Sequence, residues 1–324
     1  MKPIASTPLR VTLVKRIDEA QDIASFELAT SDGQPLPAFS AGSHIDVTTG
    51  EGLVRQYSLC NEPSETHRYL IAVLKDPQSR GGSKFMHEQL REGDELEISA
   101  PKNRFALAHE APFSLLLAGG IGITPLLCMA ERLDSMGSKF EMHYLTRSQG
   151  RTAFRSRIKH SRFAPHVHFH HDDGDVSQKL EIRELLNRHN GKAHLYFCGP
   201  AGFMGAVLDA VKALQWPEEQ VHYEYFAGAP DSSADAESFE VEIASSGTVV
   251  VVQKDQTALE ALVNAEVQIP SMCEEGVCGT CITRVLAGVP DHRDHCLTPA
   301  EQAANDLFTP CCSRAKSRRL VLDL

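Results

Sequence analysis

The chain has 324 residues, 42% hydrophobic and 23% charged, a length that implies two or three domains and a balance that excludes a disordered or fibrous protein. Its formal net charge of −11 excludes nucleic acid as a partner, because phosphate backbones are held by clustered Lys and Arg, and suits a basic partner surface instead. Residues 1–11 carry no apolar run long enough for a secretory leader, and the most apolar stretch, 113–130, is interrupted by Gly119, Gly120, Gly122 and Pro125. No membrane span is expected, and a cytoplasmic location is.

Over residues 1–110, short strand-like runs at 9–14, 25–28, 44–48, 56–59, 69–74 and 95–98 alternate with Pro, Gly and Asp, the pattern of an antiparallel β-barrel. Arg55-Gln56-Tyr57-Ser58 lies on one of these strands, and Arg80-Gly81-Gly82-Ser83-Lys84 opens a predicted helix, SKFMHEQL. Alone, the first is only a barrel strand and the second only a capped turn. Together they favour a flavin site: backbone N–H groups, the Ser83 hydroxyl and a cation take the phosphate, and Tyr57 offers the ring a platform.

From Pro112 strands alternate with helices: SLLLAGG with TPLLCMAERLDSMG, KFEMHYLTR with AFRSRIKH, HVHFHH with IRELLNRH, AHLYFCGP with MGAVLDAVKALQW, then VHYEYF. This predicts a parallel sheet with helices on both faces over residues 111–227, an α/β nucleotide-binding domain. Gly119-Gly120-Ile121-Gly122-Ile123-Thr124-Pro125 departs from G-x-G-x-x-G, yet its glycines give a pyrophosphate or nicotinamide close access to the backbone and Pro125 suits a first helical turn. Cys198-Gly199-Pro200 ends a later strand, where a soft, uncharged thiol can support hydride transfer. His166, His168 and His170 alternate onto one strand face without a second set of ligands, so a non-metal role is expected.

Residues 227–238, AGAPDSSADAES, hold no aromatic or branched apolar side chain; a linker is expected at 228–238, free to let the last domain move. Residues 239–324 then open with a hairpin around Ser246-Gly247 and a short helix, TALEALVNA, ahead of Cys273-x4-Cys278-x2-Cys281. That spacing is the plant-type 2Fe–2S pattern, whereas structural zinc prefers paired C-x2-C knuckles. Gly276 and Gly279 leave room for backbone N–H groups to approach the cluster. A fourth thiolate comes from Cys311 or Cys312, which in an extended segment point to opposite sides, so one ligates and the other packs. Cys60, Cys128 and Cys296 read as inert core thiols, and the odd count of nine cysteines without a leader argues for a reducing compartment.

These motifs in this order resemble the phthalate dioxygenase reductase family, with RQYSL at Arg55, SRGGSKFMH at Ser79, AGGIGITP at Ala118, YFCGP at Tyr196, and CEEGVCGTC, DHRD and CCSRAK near the carboxyl end. The resemblance spans nearly the whole chain. It implies a multidomain architecture of antiparallel flavin barrel, α/β parallel-sheet domain and α+β β-grasp ferredoxin domain. It further implies FMN rather than FAD, NADH as the main donor, and a Rieske-type mononuclear-iron oxygenase as acceptor. By motif, FMN would touch Arg55, Tyr57, Ser58, the backbone of Val73, Leu74 and Lys75, Gly81, Gly82, Ser83 and Lys84, with Thr124 against the ring and Phe226 closing over it. Gly120, Gly122, Pro125, Gly199 and Pro200 would face the nucleotide, Cys198 and Thr124 the hydride path, and the fourth cluster ligand would be Cys311 beside Cys273, Cys278 and Cys281.

A nicotinamide gives up two electrons together and a 2Fe–2S cluster accepts one, so a flavin between them explains why no acid–base triad or paired carboxylates stand out. Residues 239–324 carry twelve Asp or Glu against seven Lys or Arg, an acidic face suited to a basic docking patch. Arg147, Arg151 and Arg155 keep NADPH open as donor. The alternatives are a stand-alone reductase of a small acceptor and a redox-sensing module.

Overall fold

The computed structural model describes residues 8–77, 79, 81–108, 111–175, 178–226, 238–254, 256–271, 276, 279–294 and 296–324, so all of the expected linker except Ser238 lies outside the described residues. The chain divides into two compact units, Met1–Glu224 and Tyr225–Leu324.

The first unit opens with β1 (Leu9–Ala20), β2 (Ile23–Ala29), β3 (Ser43–Thr48), β4 (Val54–Ser58), β5 (Tyr69–Leu74), β6 (Glu95–Ile98) and β7 (Lys102–Asn103). They form one sheet in the order β4-β3-β6-β1-β2-β5, with β7 on β3 and every pair antiparallel. A bridge between Leu59 and Ile71 joins the chain just past β4 to β5. Val11, Leu13, Phe26, Leu28, Ile45, Val47, Tyr69, Ile71 and Val73 fill its core, each side chain contributing about 1.5–3 kcal/mol on burial. The helix α1 (Gly82–Glu88) adds Met86 to that core. Strand β1 runs six residues beyond the predicted end at Val14, because Lys15 to Ala20 continue as a bulged, largely solvated ribbon against β2 that no hydrophobic alternation announces.

A second sheet follows: β8 (Ser114–Gly119), β9 (Phe140–Thr146), β10 (Val167–His171), β11 (His194–Cys198) and β12 (Val221–Glu224), all parallel, in the order β10-β9-β8-β11-β12. The helices between them are α2 (Ile123–Ser135), α3 (Arg155–Lys159), α4 (Ile182–His189) and α5 (Ala201–Ala213). Strand β8 is buried at all six positions, so its sequence SLLLAG is a continuous small and apolar run. The order reverses between β8 and β11, which makes their carboxyl ends the switch point where open α/β sheets bind ligands.

In the second unit β13 (Phe239–Ile243), β14 (Val249–Val252), β15 (Thr283–Ala287), β17 (Leu307–Phe308) and β19 (Arg319–Leu322) make a mixed sheet ordered β14-β13-β19-β15-β17, with β13 parallel to β19. The two-residue strands β16 (Pro290–Asp291) and β18 (Arg314–Ala315) pair separately. The expected hairpin turns at Gly247, whose φ of 71° is open to glycine at no steric cost. Helices α6 (Ala258–Asn264) and α7 (Pro299–Ala304) each start with a reciprocal capping box, Thr257 with Glu260 and Thr298 with Glu301. Leu259 and Leu262 of α6 join Phe239, Val241, Phe308, Leu320 and Leu322 in the core of this unit.

The Thr257 hydroxyl accepts the Glu260 N–H at 3.1 Å while the Glu260 carboxylate accepts the Thr257 N–H at 2.9 Å. Thr257→Ala should therefore cost the second unit about 1 kcal/mol in urea unfolding with an unchanged m-value; a midpoint equal to that of the parent would show the box to be idle.

Candidate functional site

At the switch point two glycine turns interlock. A Cβ on Gly122 would lie 2.1 Å from the Cys198 carbonyl oxygen, and one on Gly199 would lie 2.9 Å from the Gly119 Cα and 2.6 Å from the Phe203 ring. Glycine at 119, 122 and 199 thus serves the contact between the two turns. Gly120, at φ 54° with nothing within 4 Å of its Cβ direction, is the position whose backbone faces open space. Thr124 and Pro125 are buried in the first turn of α2, and the Thr124 hydroxyl donates to the Ile121 carbonyl at 3.1 Å. Pro200 caps the start of α5.

Strand register brings three polar groups to this place. Cys198, the last residue of β11, pairs with Glu224, the last of β12, and the Ser58 hydroxyl at the end of β4 donates to a Glu224 carboxylate oxygen at 3.4 Å. Burial holds the Cys198 thiol well above its ordinary range, with the Glu224 charge adding to the effect, so it stays protonated. Burial likewise pushes the Glu224 carboxyl up to about 8, against the opposing pull of the Ser58 hydrogen bond. Glu224 was not among the sequence-predicted residues. Its signal was there in VHYEYF, an acid closing an otherwise apolar and aromatic edge strand, but only the register with Cys198 gives it meaning.

The two motifs of the first sheet also meet. A Cβ on Gly82 would strike Arg55 Cγ at 2.7 Å, so the guanidinium stem runs across the glycine turn. Gly81 sits at φ 112°, a conformation that glycine alone adopts easily. The Ser83 hydroxyl accepts the Asp76 N–H at 3.2 Å, and Lys84 lies 4.0 Å from Glu88, which Lys75 meets at 2.9 Å. Some backbone groups expected at the flavin are already paired: the Val73 carbonyl meets His87 Nε2 at 2.8 Å and the Lys75 N–H donates to Asp22 O at 2.7 Å. Leu74 is exposed, Tyr57 packs partly against the core, and Phe226 is half-buried two residues past β12. Of the three arginines set aside for a 2′-phosphate, Arg151 reaches Asp22 at 3.6 Å and Arg155 Nε is buried without a hydrogen-bond partner among the described residues.

The strand histidines join a network around one carboxylate. Glu141 faces Nε2 of His143 at 3.0 Å, of His168 at 3.2 Å and of His189 at 3.5 Å, while His143 Nδ1 meets His170 Nε2 at 2.9 Å. Burial, then the charges of His170 and His168, lowers His143 to about 3. Among the described residues no group of three such side chains is arranged to hold a metal ion.

Cys273 and Cys278 lie outside the described residues, and the remaining sulfurs decide the fit. Cys281 Sγ and Cys311 Sγ stand 3.3 Å apart, both buried. Two thiolates on one tetrahedral metal at about 2.3 Å would stand roughly 3.8 Å apart, so a small outward turn of either side chain makes room for an iron. Gly276 and Gly279 hold φ of 74° and 69° on the loop, which a side chain would strain. The residues present fit the cluster. One expectation is corrected: residues 309–313 form a turn, not an extended segment, with the N–H groups of Cys312 and Ser313 both donating to Thr309 O at 3.2 and 3.0 Å. Cys312 therefore does not point away; its sulfur packs on Gly276, 2.3 Å from where a Gly276 Cβ would be. A second correction concerns Cys296, which is half-exposed, not core; burial and then the neighbouring Asp294 charge push its thiol up to about 12. Cys60 and Cys128 are fully buried thiols.

Residues 241–316 match the family model described as a 2Fe-2S iron-sulfur cluster binding domain. The chain is 54% identical over 305 residues to vanillate O-demethylase oxidoreductase of Pseudomonas sp. (strain HR199 / DSM 7063), covering 94% of this chain and 96% of the relative. It is 39% identical over 317 residues to phthalate dioxygenase reductase of Burkholderia cepacia, covering 98% and 97%. A solved phthalate dioxygenase reductase, described as a modular structure for electron transfer from pyridine nucleotides to 2Fe-2S, superposes with a TM-score of 0.80 at 39% identity over 98% of each chain.

Glu224 offers a direct check on the switch-point electrostatics. A carboxyl whose folded pKa is raised to about 8 costs nothing below its unfolded value and destabilises the fold increasingly as pH climbs from that value towards 8. Glu224→Gln should thus match the parent in thermal stability near pH 4 and exceed it at pH 9, by on the order of 3 kcal/mol after allowance for residual solvent contact. A constant difference across that range would contradict the raised pKa.

Proposed function

The chain belongs to the phthalate dioxygenase reductase family and is the reductase component of a two-component oxygenase system, and we propose that it carries electrons from NADH through FMN and a 2Fe–2S cluster to a Rieske-type oxygenase. When bound, FMN would supply the exchange between the two-electron chemistry of NADH and the one-electron chemistry of the cluster. The observation that carries the reading is the 3.3 Å approach of the Cys281 and Cys311 sulfurs in a unit that matches the cluster-binding family.

In this reading the first sheet is a closed flavin barrel, the parallel sheet takes the nicotinamide nucleotide, and the second unit is a β-grasp ferredoxin domain in a cytoplasmic protein. Arg55, Tyr57, Ser58, the backbone at Val73, Leu74 and Lys75, and Gly81 to Lys84 hold FMN. The Arg55 stem laid across Gly82 supports an anion site there. Thr124 and Phe226 bound the ring. Gly120, Gly122, Pro125, Gly199 and Pro200 receive the nucleotide, with Gly120 the backbone position left open. The protonated Cys198 thiol presents an uncharged surface to the nicotinamide, and a Glu224 carboxyl that keeps its proton near neutrality adds no charge beside it. NADH is the donor that the family resemblance implies, and of the three arginines Arg151 is tied to Asp22. Cys273, Cys278, Cys281 and Cys311 hold the cluster.

Replacing each of the adjacent cysteines tests the electron path. Cys311→Ser should lose the cluster's visible absorbance and bring delivery to the oxygenase down to background, while anaerobic NADH still bleaches the flavin at the parent rate. Cys312→Ser should keep all three properties. If the two variants exchange behaviour, the ligand assignment is wrong; if the parent turns over a small acceptor rapidly and gives nothing to any oxygenase, the partner proposal is.

A further inference from the structure

The DHRD motif, prominent in the sequence, has no part in the electron path described so far, and its second aspartate is the most heavily hydrogen-bonded carboxylate near the cluster. The Asp294 side chain is fully excluded from solvent. Its Oδ1 accepts from the Thr309 hydroxyl at 3.2 Å and the Ser313 hydroxyl at 3.3 Å and faces His292 Nδ1 at 3.3 Å. Its Oδ2 accepts the Leu297 N–H at 3.0 Å and the Cys296 thiol at 3.7 Å. Such a group is costly to bury unless its lone pairs are satisfied, and here each oxygen has at least two partners.

Those partners belong to the segments that build the cluster site. Thr309 and Ser313 flank Cys311 and Cys312; both hydroxyl residues are buried, with their oxygens 2.6 Å apart. The Thr309 hydroxyl also reaches Cys312 Sγ at 3.5 Å. On the other side, a Cβ on Gly276 would stand 3.1 Å from Asp294 Cα and 3.3 Å from its Cβ, so Gly276 packs on the aspartate itself. The Arg293 N–H donates to Ser313 Oγ at 3.0 Å and Gln302 Nε2 to the Asp294 carbonyl at 3.2 Å, which ties the same stretch to α7. Asp294 is thus a strut between the turn carrying Cys311 and the loop carrying Gly276.

We propose that Asp294 is a positioning residue for the iron–sulfur centre: its buried carboxylate fixes the Cys311 turn against the cluster loop, and its negative charge holds the cluster's reduction potential down. The inference rests on the cluster reading and adds what tunes it. Hydrogen bonds and net charge around the sulfurs set the potentials of such clusters, and outer-shell partners orient the ligands. A low potential makes the reduced cluster a better donor.

The test compares Asp294→Asn with Thr298→Ala in the full-length protein carrying its cluster. Thr298 caps α7 in the same unit and makes no hydrogen bond to Asp294, so it controls for simple loss of stability. Asp294→Asn should move the midpoint potential of the cluster to a more positive value and change the EPR line shape of the reduced protein. Thr298→Ala should do neither. An unchanged potential in Asp294→Asn overturns the proposal, as does an equal shift in Thr298→Ala. Should Asp294→Asn fail to fold, Thr309→Val keeps the charge and removes one donor: an altered EPR signature then supports the strut, and an unaltered one overturns it. Failure of the cluster reading itself would show separately, as parent protein without iron or sulfide.

Discussion

A cluster of two irons can be held only if sulfurs from distant parts of the chain converge, and the second unit is organised around that requirement. Cys281 and Cys311 are thirty residues apart in sequence and 3.3 Å apart in space. Strand β15 leads away from the first, β16 and α7 lie along the way, and the chain re-enters beside β15 as β17 just before the second. Closing so long a loop has an entropic cost that grows slowly with length, and burial of Phe308, Leu320 and Leu322 in the same unit offsets it. Gly276 and Gly279 make the last step sterically possible, since their positive φ angles would strain a residue bearing a Cβ.

The first unit meets a different requirement with the same economy of parts. A reversal of strand order leaves the ends of β8 and β11 adjacent, and the glycine turns that follow them pack so closely that each leaves no space for a side chain on the other. Because β12 is in register with β11, Glu224 arrives beside Cys198, and the end of β4 brings Ser58 to it. Three polar groups from three strands meet in a place poor in water, and the result is chemical neutrality: a thiol and a carboxyl that both keep their protons near pH 7. In the proposed function this neutrality suits hydride passage, which a nearby fixed charge would bias.

What the sequence disclosed, it disclosed through local chemistry. Alternating strands, the apolar run of β8, the turn at Gly247 and the cysteine spacing all follow from neighbours within a few residues. What stayed hidden depends on partners far along the chain. The charged half of β1 is a strand because β2 lies beside it, and Glu224 matters because of Cys198 and Ser58. Cys311 and Cys312 sit on a turn because the Thr309 carbonyl collects two N–H groups, so the alternation rule of extended chains did not apply. The glycines of the nucleotide turn were read as access for a ligand. Gly119 and Gly122, with Gly199 of the neighbouring turn, serve turn-to-turn packing, and Gly120 alone faces open space.

The central claim is that thiolates of the second unit hold a 2Fe–2S cluster, with the Cys281 and Cys311 sulfurs sharing an iron. Iron and acid-labile sulfide, determined on the purified protein together with EPR after reduction, test it most directly. The account predicts about two irons and two sulfides per chain and the rhombic signal of a reduced plant-type cluster. Zinc in place of iron, or a protein without labile sulfide and silent after reduction, would contradict it.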